Sequence, residues 1–239
     1  MTRRRWIADE VSGDRAALIG QHAAHLTRVL RARVGQEFDI ATGGVVRRGK
    51  VSAISDGRVE FELGREISGR DGIDITLLLA VFKFDRMEWA IEKCTELGVA
   101  RIVPVICRRT DSHLAAASHK RCERWQRIVR QAAEQSRRAE PPEVAAPMQI
   151  SEAIKAEDGL RIVLTESEER ALLRNVLQAD ATDDRISLAV GPEGGWTGDE
   201  SKLLGAAGWV SASLGQTILR SETAAIAATA VVAAMRSPS

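Results

Sequence analysis

The sequence predicts an α/β protein in two parts: a small β-rich N-terminal segment and a longer region built on a parallel sheet. Three observations predict it. Residues 1–72 carry short strand candidates punctuated by glycine turns. Residues 73–239 alternate continuous apolar runs with stretches of helical period, the pattern of strands buried on both faces and joined by crossover helices. Hydrophobic residues make up 44% of the 239, enough for buried cores and too many for wholesale disorder.

In chain order, AAHLTRVLRARVG (23–35) has helical spacing and predicts a helix ending on Gly35. EFDIAT (37–42), VVRRGKVSAI (45–54) and RVEFELG (58–64) follow as strands, with turns at Thr42-Gly43-Gly44 and Ser55-Asp56-Gly57, which suggests a small barrel or twisted meander. The pattern changes at Asp71-Gly72, the expected domain boundary. DITLLLAVF (74–82) reads as a buried strand, FDRMEWAIEKCTELGV (84–99) as a helix stopping at Gly98, ARIVPVIC (100–107) as a strand, and KRCERWQRIVRQAAEQSRR (120–138) as one helix. The Pro-rich AEPPEVAAP (139–147) reads as a loop. LRIVLTE (160–166), ISLAVGPEGG (186–195) and WVSASLG (209–215) supply further strands, with helices between and after them. Trp89 and Trp125 are expected in the core.

The formal net charge of +1 hides an uneven distribution. Residues 1–150 carry +6 and residues 151–239 carry −5. Between Arg101 and Arg138 there are 10 basic and 3 acidic residues, a stripe that either neutralises phosphates by counterion release or forms a solvated helix face. Near-neutrality of the whole chain therefore does not exclude a nucleic-acid partner.

Other classes are excluded more directly. Cys94, Cys107 and Cys122 form no C-x-x-C pair, and an odd count argues against a disulfide framework. His22 and His25 have no nearby cysteine partner, so no metal site is expected. The apolar stretches 75–82 and 224–235 are too short to span a bilayer, and Asp9 and Glu10 stand where a signal peptide needs an apolar run. A cytoplasmic protein is expected. With no tyrosine in the chain, no phenol is available for acid–base chemistry.

The chemistry-bearing stretch is C-terminal. LAVGPEGGWTGDE (188–200) and SLGQTILRSETAAIAA (213–228) each read as strand, glycine turn and helix. Glycines past a strand's C-terminal edge let a ligand approach the backbone. Thr197 with Glu200 three residues on reads as a capping box. Neither stretch is a phosphate loop or a G-x-G-x-x-G fingerprint, which sets aside a dinucleotide-binding oxidoreductase; alone, GPEGG is also compatible with a purely structural turn. Ser221 or Thr223 is a candidate cap for the final helix. Arg220 stands beside that helix N-terminus, where the macrodipole disfavours a cation, so it is expected to meet an anion or a polarised oxygen.

GPEGG…DE followed by LG-x-x-I-L-R-x-E-T-A resembles the C-terminal signature of the SPOUT superfamily of RNA methyltransferases, and more narrowly the RsmE family, which methylates N3 of a uridine in 16S ribosomal RNA of the small subunit. His25-Leu26-Thr27-Arg28-Val29-Leu30-Arg31, Lys93-x-x-Glu96-Leu97-Gly98-Val99 with Pro104, and WQRIVRQAAEQSRR (125–138) match further family blocks. One departure is visible: Arg137-Arg138 stands where the family usually has Gly-Arg, which leaves that loop's conformation open.

The resemblance implies a PUA-like RNA-binding β-barrel domain at 1–72 and a SPOUT domain at 73–239 with a C-terminal trefoil knot. It implies S-adenosyl-L-methionine as cofactor, ribosomal RNA or the small ribosomal subunit as partner, and a homodimer. Three loops are expected around the cofactor: Leu164, Thr165 and Glu166; Gly191, Glu193, Gly194 and Gly195; and Leu214, Gly215, Ile218 and Leu219, with Thr223 beyond. A Cβ at Gly194 or Gly195 would occupy ligand space. Trp196 is expected in the core, with stacking over the site as the functional alternative. Arg220 is the candidate for stabilising charge on a uracil carbonyl. Glu222 is either the general base or an ion-pair partner that orients Arg220. Candidates for RNA contact are Arg3, Arg4, Arg5, His25, Arg28 and Arg31 in the first domain and Lys83, Arg86 and Arg137 in the second. The alternatives are ribose 2′-O-methylation on the same fold and a non-catalytic RNA-binding ribosome assembly factor.

Overall fold

The structure is a computed structural model, and it describes residues 5–68, 74–168, 171–180 and 185–236. Arg3, Arg4 and the expected boundary at Gly72 lie outside the described residues. The chain divides into two compact units, Met1–Asp71 with Arg130–Pro141, and Gly72–Val129 with Pro142–Ser239.

In the first unit the chain runs through β1 (Arg5–Ile7), β2 (Glu10–Ser12), β3 (Arg15–Ile19), the short helix α1 (Gln21–Ala24), β4 (Glu37–Thr42), β5 (Val45–Ser55) and β6 (Arg58–Ser68). The sheet order is β1-β4-β5-β6-β3-β2, antiparallel except for the β1–β4 pair. Trp6, Leu18, Leu26, Ile40, Val59 and Phe61 fill its core. Gly49 on β5 is required by packing, because a Cβ there would come within 2.4 Å of the Ile40 side chain.

The helix expected over 23–35 is shorter. After α1 the chain makes one turn of π-helix at His25–Val29 and stops, with Arg31 in the left-handed region at φ 52° and the Ala32 N–H donating to the Leu26 carbonyl at 3.1 Å. Gly35 instead serves the turn into β4, with φ 87°. Apolar periodicity runs past this point because it carries no signal for a left-handed stop.

The second unit holds β7 (Asp74–Ala80), α2 (Phe84–Glu96), β8 (Arg101–Ile106), α3 (Ser112–Ser118), then α4 (Cys122–Gln135), whose last residues belong to the first unit. Next come β9 (Glu143–Val144), β10 (Met148–Gln149), α5 (Ile150–Ala153), β11 (Leu160–Leu164), α6 (Leu173–Ala179), β12 (Arg185–Val190), α7 (Gly198–Ala206), β13 (Val210–Ala212) and α8 (Ser221–Arg236). The sheet is parallel, in the order β10-β8-β7-β12-β11-β13, with β9 also on β8. The continuous apolar runs are buried on both faces as expected: Leu77, Leu79, Ile162 and Leu188 face one core, Leu78, Val103, Val163 and Ala189 the other.

Three expectations are corrected here. Trp89 lies outside the core, 49% exposed on α2, whereas Trp125 is fully buried against Phe84. The loop expected at 139–147 contains β9. The single helix expected at 120–138 begins instead with a 3-10 turn at His119–Arg121 and ends at Gln135. Beyond it Arg137 takes φ 62°, while the N–H groups of Arg137 and Arg138 donate to the carbonyls of Glu134 and Ala133. This is a Schellman stop with arginine in the position glycine fills at no steric cost.

Candidate active site

Ligands of open α/β sheets bind beyond the carboxyl ends of the strands, and the second unit has a cavity of about 530 Å³ there. The strands β12, β11 and β13 are neighbours, so the loops leaving them converge although they lie far apart in sequence. The first loop, Thr165–Ser167, leaves β11. The second, Gly191–Trp196, leaves β12. The third, Ser213–Arg220, leaves β13 and ends at the N-terminus of α8.

Hydrogen bonds hold these loops to one another. The Thr165 N–H donates to the Ala212 carbonyl at 3.0 Å, tying the first loop to β13. The Trp196 indole Nε1 donates to the Leu164 carbonyl at 2.9 Å, tying the second loop to the end of β11. Ser221 Oγ donates to the Gly191 carbonyl at 2.9 Å, tying α8 to the second loop. Thr197 caps α7 in a full capping box with Glu200. Glu200 also accepts from the Arg108 backbone N–H at 2.7 Å, which joins α7 to the loop after β8. Burial alone would raise the Glu200 pKa, but hydrogen bonds from Arg108 and Thr197 outweigh it and hold the carboxyl below its ordinary value.

The small residues of the second loop have separate reasons. A Cβ on Gly191 would lie 3.0 Å from the Trp196 indole, one on Gly194 would lie 3.2 Å from the Arg109 Cδ, and Gly195 has φ 70°. Among the described residues, the neighbour a Cβ on Gly194 would meet first is the Arg109 stem.

Of the residues singled out from the sequence, Leu164, Thr165, Glu166, Gly191, Glu193, Gly195, Leu214, Gly215, Ile218, Leu219 and Arg220 line the cavity. Gly194 and Thr223 are absent from its wall, and Thr223 is exposed on α8. The Ser221 hydroxyl donates to Gly191 in place of capping α8. Glu222 is buried at 6% side-chain exposure, outside the cavity wall, with Oε1 3.8 Å from Arg86 Nε and Oε2 unpaired among the described residues. Its ion-pair partner is therefore Arg86, and the pairing with Arg220 is absent among the described residues. Trp196 packs half-buried against the second core and also lines the cavity.

The candidates for RNA contact separate by environment. Arg28, Arg31 and Arg137 are exposed, and Lys83 is exposed at the start of α2. Arg5 is half-buried on β1 and His25 packs edge-on against Trp6 at 5.6 Å. Arg86 lines the cavity and bonds Glu193 at 2.9 Å. Sequence reasoning missed Arg109, whose guanidinium donates to the carbonyls of Gly194 and Trp196. Its position directly past the carboxyl end of a buried parallel strand was the available signal.

Among the described residues no cluster of His, Cys, Asp and Glu is arranged to hold a metal, and no helix is long and apolar enough to cross a membrane. The fold and the site define an RNA methyltransferase: residues 70–233 match the RNA methyltransferase domain and residues 18–64 the RNA methyltransferase PUA domain. A ribosomal RNA small subunit methyltransferase E from Synechocystis is 35% identical over 215 residues, covering 88% of this chain and 70% of that protein. The crystal structure of a protein of the same name from Neisseria gonorrhoeae, bound to S-adenosyl methionine, is 30% identical with a TM-score of 0.82 and covers 96% of each chain. A putative methyltransferase from Legionella pneumophila, in complex with bound cofactor SAM, is 26% identical with a TM-score of 0.82 over 98% of each chain. The chain belongs to the ribosomal RNA small subunit methyltransferase E family.

Proposed function

We propose that this chain is an S-adenosylmethionine-dependent methyltransferase of small-subunit ribosomal RNA, acting on N3 of a uridine in 16S rRNA. The observation that carries the proposal is the convergence of three loops on one cavity beyond β12, β11 and β13, with Arg220 at its edge.

The wall fits this cofactor. A volume of about 530 Å³ suits a nucleoside-sized ligand, backbone groups of three loops are placed to read an adenine edge, and the exposed Glu166 carboxylate offers a counter-charge to a cation. Leu164–Glu166, the glycine loop with Glu193, and Leu214–Leu219 would hold it. When bound, S-adenosylmethionine supplies an electrophilic methyl on a sulfonium.

Uridine N3 bears a proton and attacks only as that proton leaves. Arg220 stabilises the negative charge that develops on the adjacent carbonyl oxygen. The proton passes to a carboxylate or to water. Glu222, buried and turned to Arg86, reaches it only through a rearrangement of its side chain. The N3–methyl bond forms as the sulfur–methyl bond breaks, leaving a neutral thioether. Holding base and methyl in line is worth several kcal/mol, up to about 7 or more.

Residues 1–72 act as a PUA-like barrel domain that grips RNA through Arg3, Arg4, Arg5, His25, Arg28 and Arg31. Residues 73–239 form the SPOUT domain, with the C-terminal trefoil knot that the family resemblance implies. Lys83 and Arg137 add phosphate contacts. The active form is a homodimer, and its substrate places it in the cytoplasm. The test is methyl transfer from labelled cofactor to 16S rRNA and to assembled small subunits, with the product mapped by nucleoside mass spectrometry. N3-methyluridine is the expected product. A 2′-O-methylated nucleoside would reassign the reaction, and absence of cofactor binding would leave an RNA-binding assembly factor.

A further inference from the structure

We infer that Arg86 and Arg109 form a two-point clamp on the second loop, and that they act as positioning residues for the cofactor and not as ligands of RNA phosphate. The inference rests on the methyltransferase proposal and adds two residues to its machinery.

The two arginines come from the connections that leave neighbouring strands. Arg86 sits in the first turn of α2, after β7, and Arg109 follows β8. Both reach the loop Gly191–Trp196, which leaves β12, the neighbour of β7. Arg86 Nη1 donates to the Glu193 carboxylate at 2.9 Å. Arg109 Nη1 donates to the Gly194 carbonyl and lies 3.4 Å from the Trp196 carbonyl. Each contact joins parts of the chain that are 85 to 107 residues apart.

Charge decides what Arg86 can do. Its guanidinium meets two carboxylates, Glu193 and the buried Glu222 at 3.8 Å. An arginine already opposed by two negative groups attracts a phosphate weakly, since the carboxylates repel the anion it would have to approach. The same pairing gives the buried Glu222 its nearest cation, without which a carboxylate at 6% exposure would be strongly disfavoured. Arg86 thereby fixes the second loop and the first turn of α8 to α2 at once.

Arg109 acts through geometry. Glycine loops carry no side chains to lock their own conformation, and Arg109, which also lines the cavity, engages two carbonyls of this one. One nitrogen, Nη1, reaches the carbonyls of both Gly194 and Trp196 at the end of an arginine stem that is longer than lysine's. A Cβ on Gly194 would lie 3.2 Å from the Arg109 Cδ, so a side chain there would push on the arginine stem.

The experiment separates cofactor binding from RNA binding on the full-length chain. S-adenosylmethionine is titrated by calorimetry into wild type, Arg86→Ala, Arg109→Ala and Arg109→Lys. A 16S rRNA fragment is bound by the same proteins across a salt series, and melting temperature is recorded for each. The clamp predicts a cofactor Kd raised about tenfold or more in both alanine variants, the worth of roughly one charge-assisted hydrogen bond. RNA affinity and its salt slope stay at wild-type values, and Arg109→Lys fails to restore the cofactor Kd. Glu193→Gln, which leaves the fold's charges otherwise intact, weakens cofactor binding more in wild type than in Arg86→Ala, where only the direct share of Glu193 in holding the cofactor is left to lose. The inference is overturned if cofactor Kd is unchanged while RNA affinity falls and the salt slope drops by about one per arginine. It is also overturned if Arg109→Lys behaves as wild type. Failure of wild type itself to bind S-adenosylmethionine would remove the methyltransferase proposal, and the clamp with it.

Discussion

The hydroxyl of Ser221 donates to the carbonyl of Gly191 at 2.9 Å, so the first residue of α8 is bonded to the first residue of the glycine loop, 30 positions upstream. Ser221 is only 7% exposed, so no solvent stands ready to replace it. A residue whose type suggests a helix cap is turned away from its own helix to brace a neighbouring loop.

Replacing Ser221 by alanine leaves the Gly191 carbonyl without that donor in a half-buried position. The expected cost is about 1–3 kcal/mol of stability. Thermal unfolding reads the loss, and calorimetry should show weaker S-adenosylmethionine binding in the folded variant. Unchanged affinity would mean that the loop holds its shape without α8.

Arg220 is exposed at the cavity edge and makes no ion pair among the described residues. Arg220→Ala should lower kcat by about 10²–10³-fold, the usual effect of deleting a donor aimed at developing charge. Cofactor affinity should remain near wild type. Loss of cofactor binding in place of turnover would assign Arg220 to the cofactor.

Glu200 ties stability to pH. Its folded pKa lies below the ordinary carboxyl value, so its stabilisation is fully present above about pH 4.5 and is lost as pH falls through the depressed folded value. Wild type should lose melting temperature in that acid range more steeply than Glu200→Gln. The variant should be less stable at neutral pH by about 1–3 kcal/mol, because the amide cannot accept from both Arg108 and Thr197 as strongly. Parallel acid limbs for the two proteins would show that other carboxylates dominate.

Much of this architecture was legible because it follows from local pattern. Runs such as Leu77–Leu79 and Ile162–Leu164 have no polar face and can only be central strands. Gly191–Gly195 and Thr197 with Glu200 announce a turn and a cap in consecutive residues. What was illegible depends on partners far away in the chain. The sign of Arg86 and its place after a strand suggest an anion, yet nothing local says that the anions are Glu193 and Glu222. Arg109 was missed for the same reason. Trp89 was placed in the core because a tryptophan's size outweighs a single helical position in sequence reasoning, while the helix face it occupies points to solvent. The helix expected over 23–35 runs too far because a left-handed arginine, Arg31, leaves no trace in hydrophobic spacing.

That left-handed geometry recurs at Arg137, with φ 62° at the end of α4. Arg137→Gly restores the residue type that the resembling family usually has there and removes a steric cost. The gain should be about 0.5–1 kcal/mol after the larger chain entropy of glycine is subtracted. A urea midpoint shifted upward checks it. A lower midpoint would show that the arginine side chain contributes more than its backbone costs.

The Gly191 position couples all three loops through the width of one methyl group. A Cβ there would press on the Trp196 indole at 3.0 Å. Retreat of the indole stretches its bond to the Leu164 carbonyl, and a shift of the Gly191 backbone stretches its bond from Ser221. A change as slight as glycine to alanine is thus felt at the ends of β11, β12 and β13 together. The site behaves as a single mechanical part with no independently adjustable wall, so a variant with altered cofactor preference is more accessible from its outer edge, at Ile218 or Thr217, than from its floor.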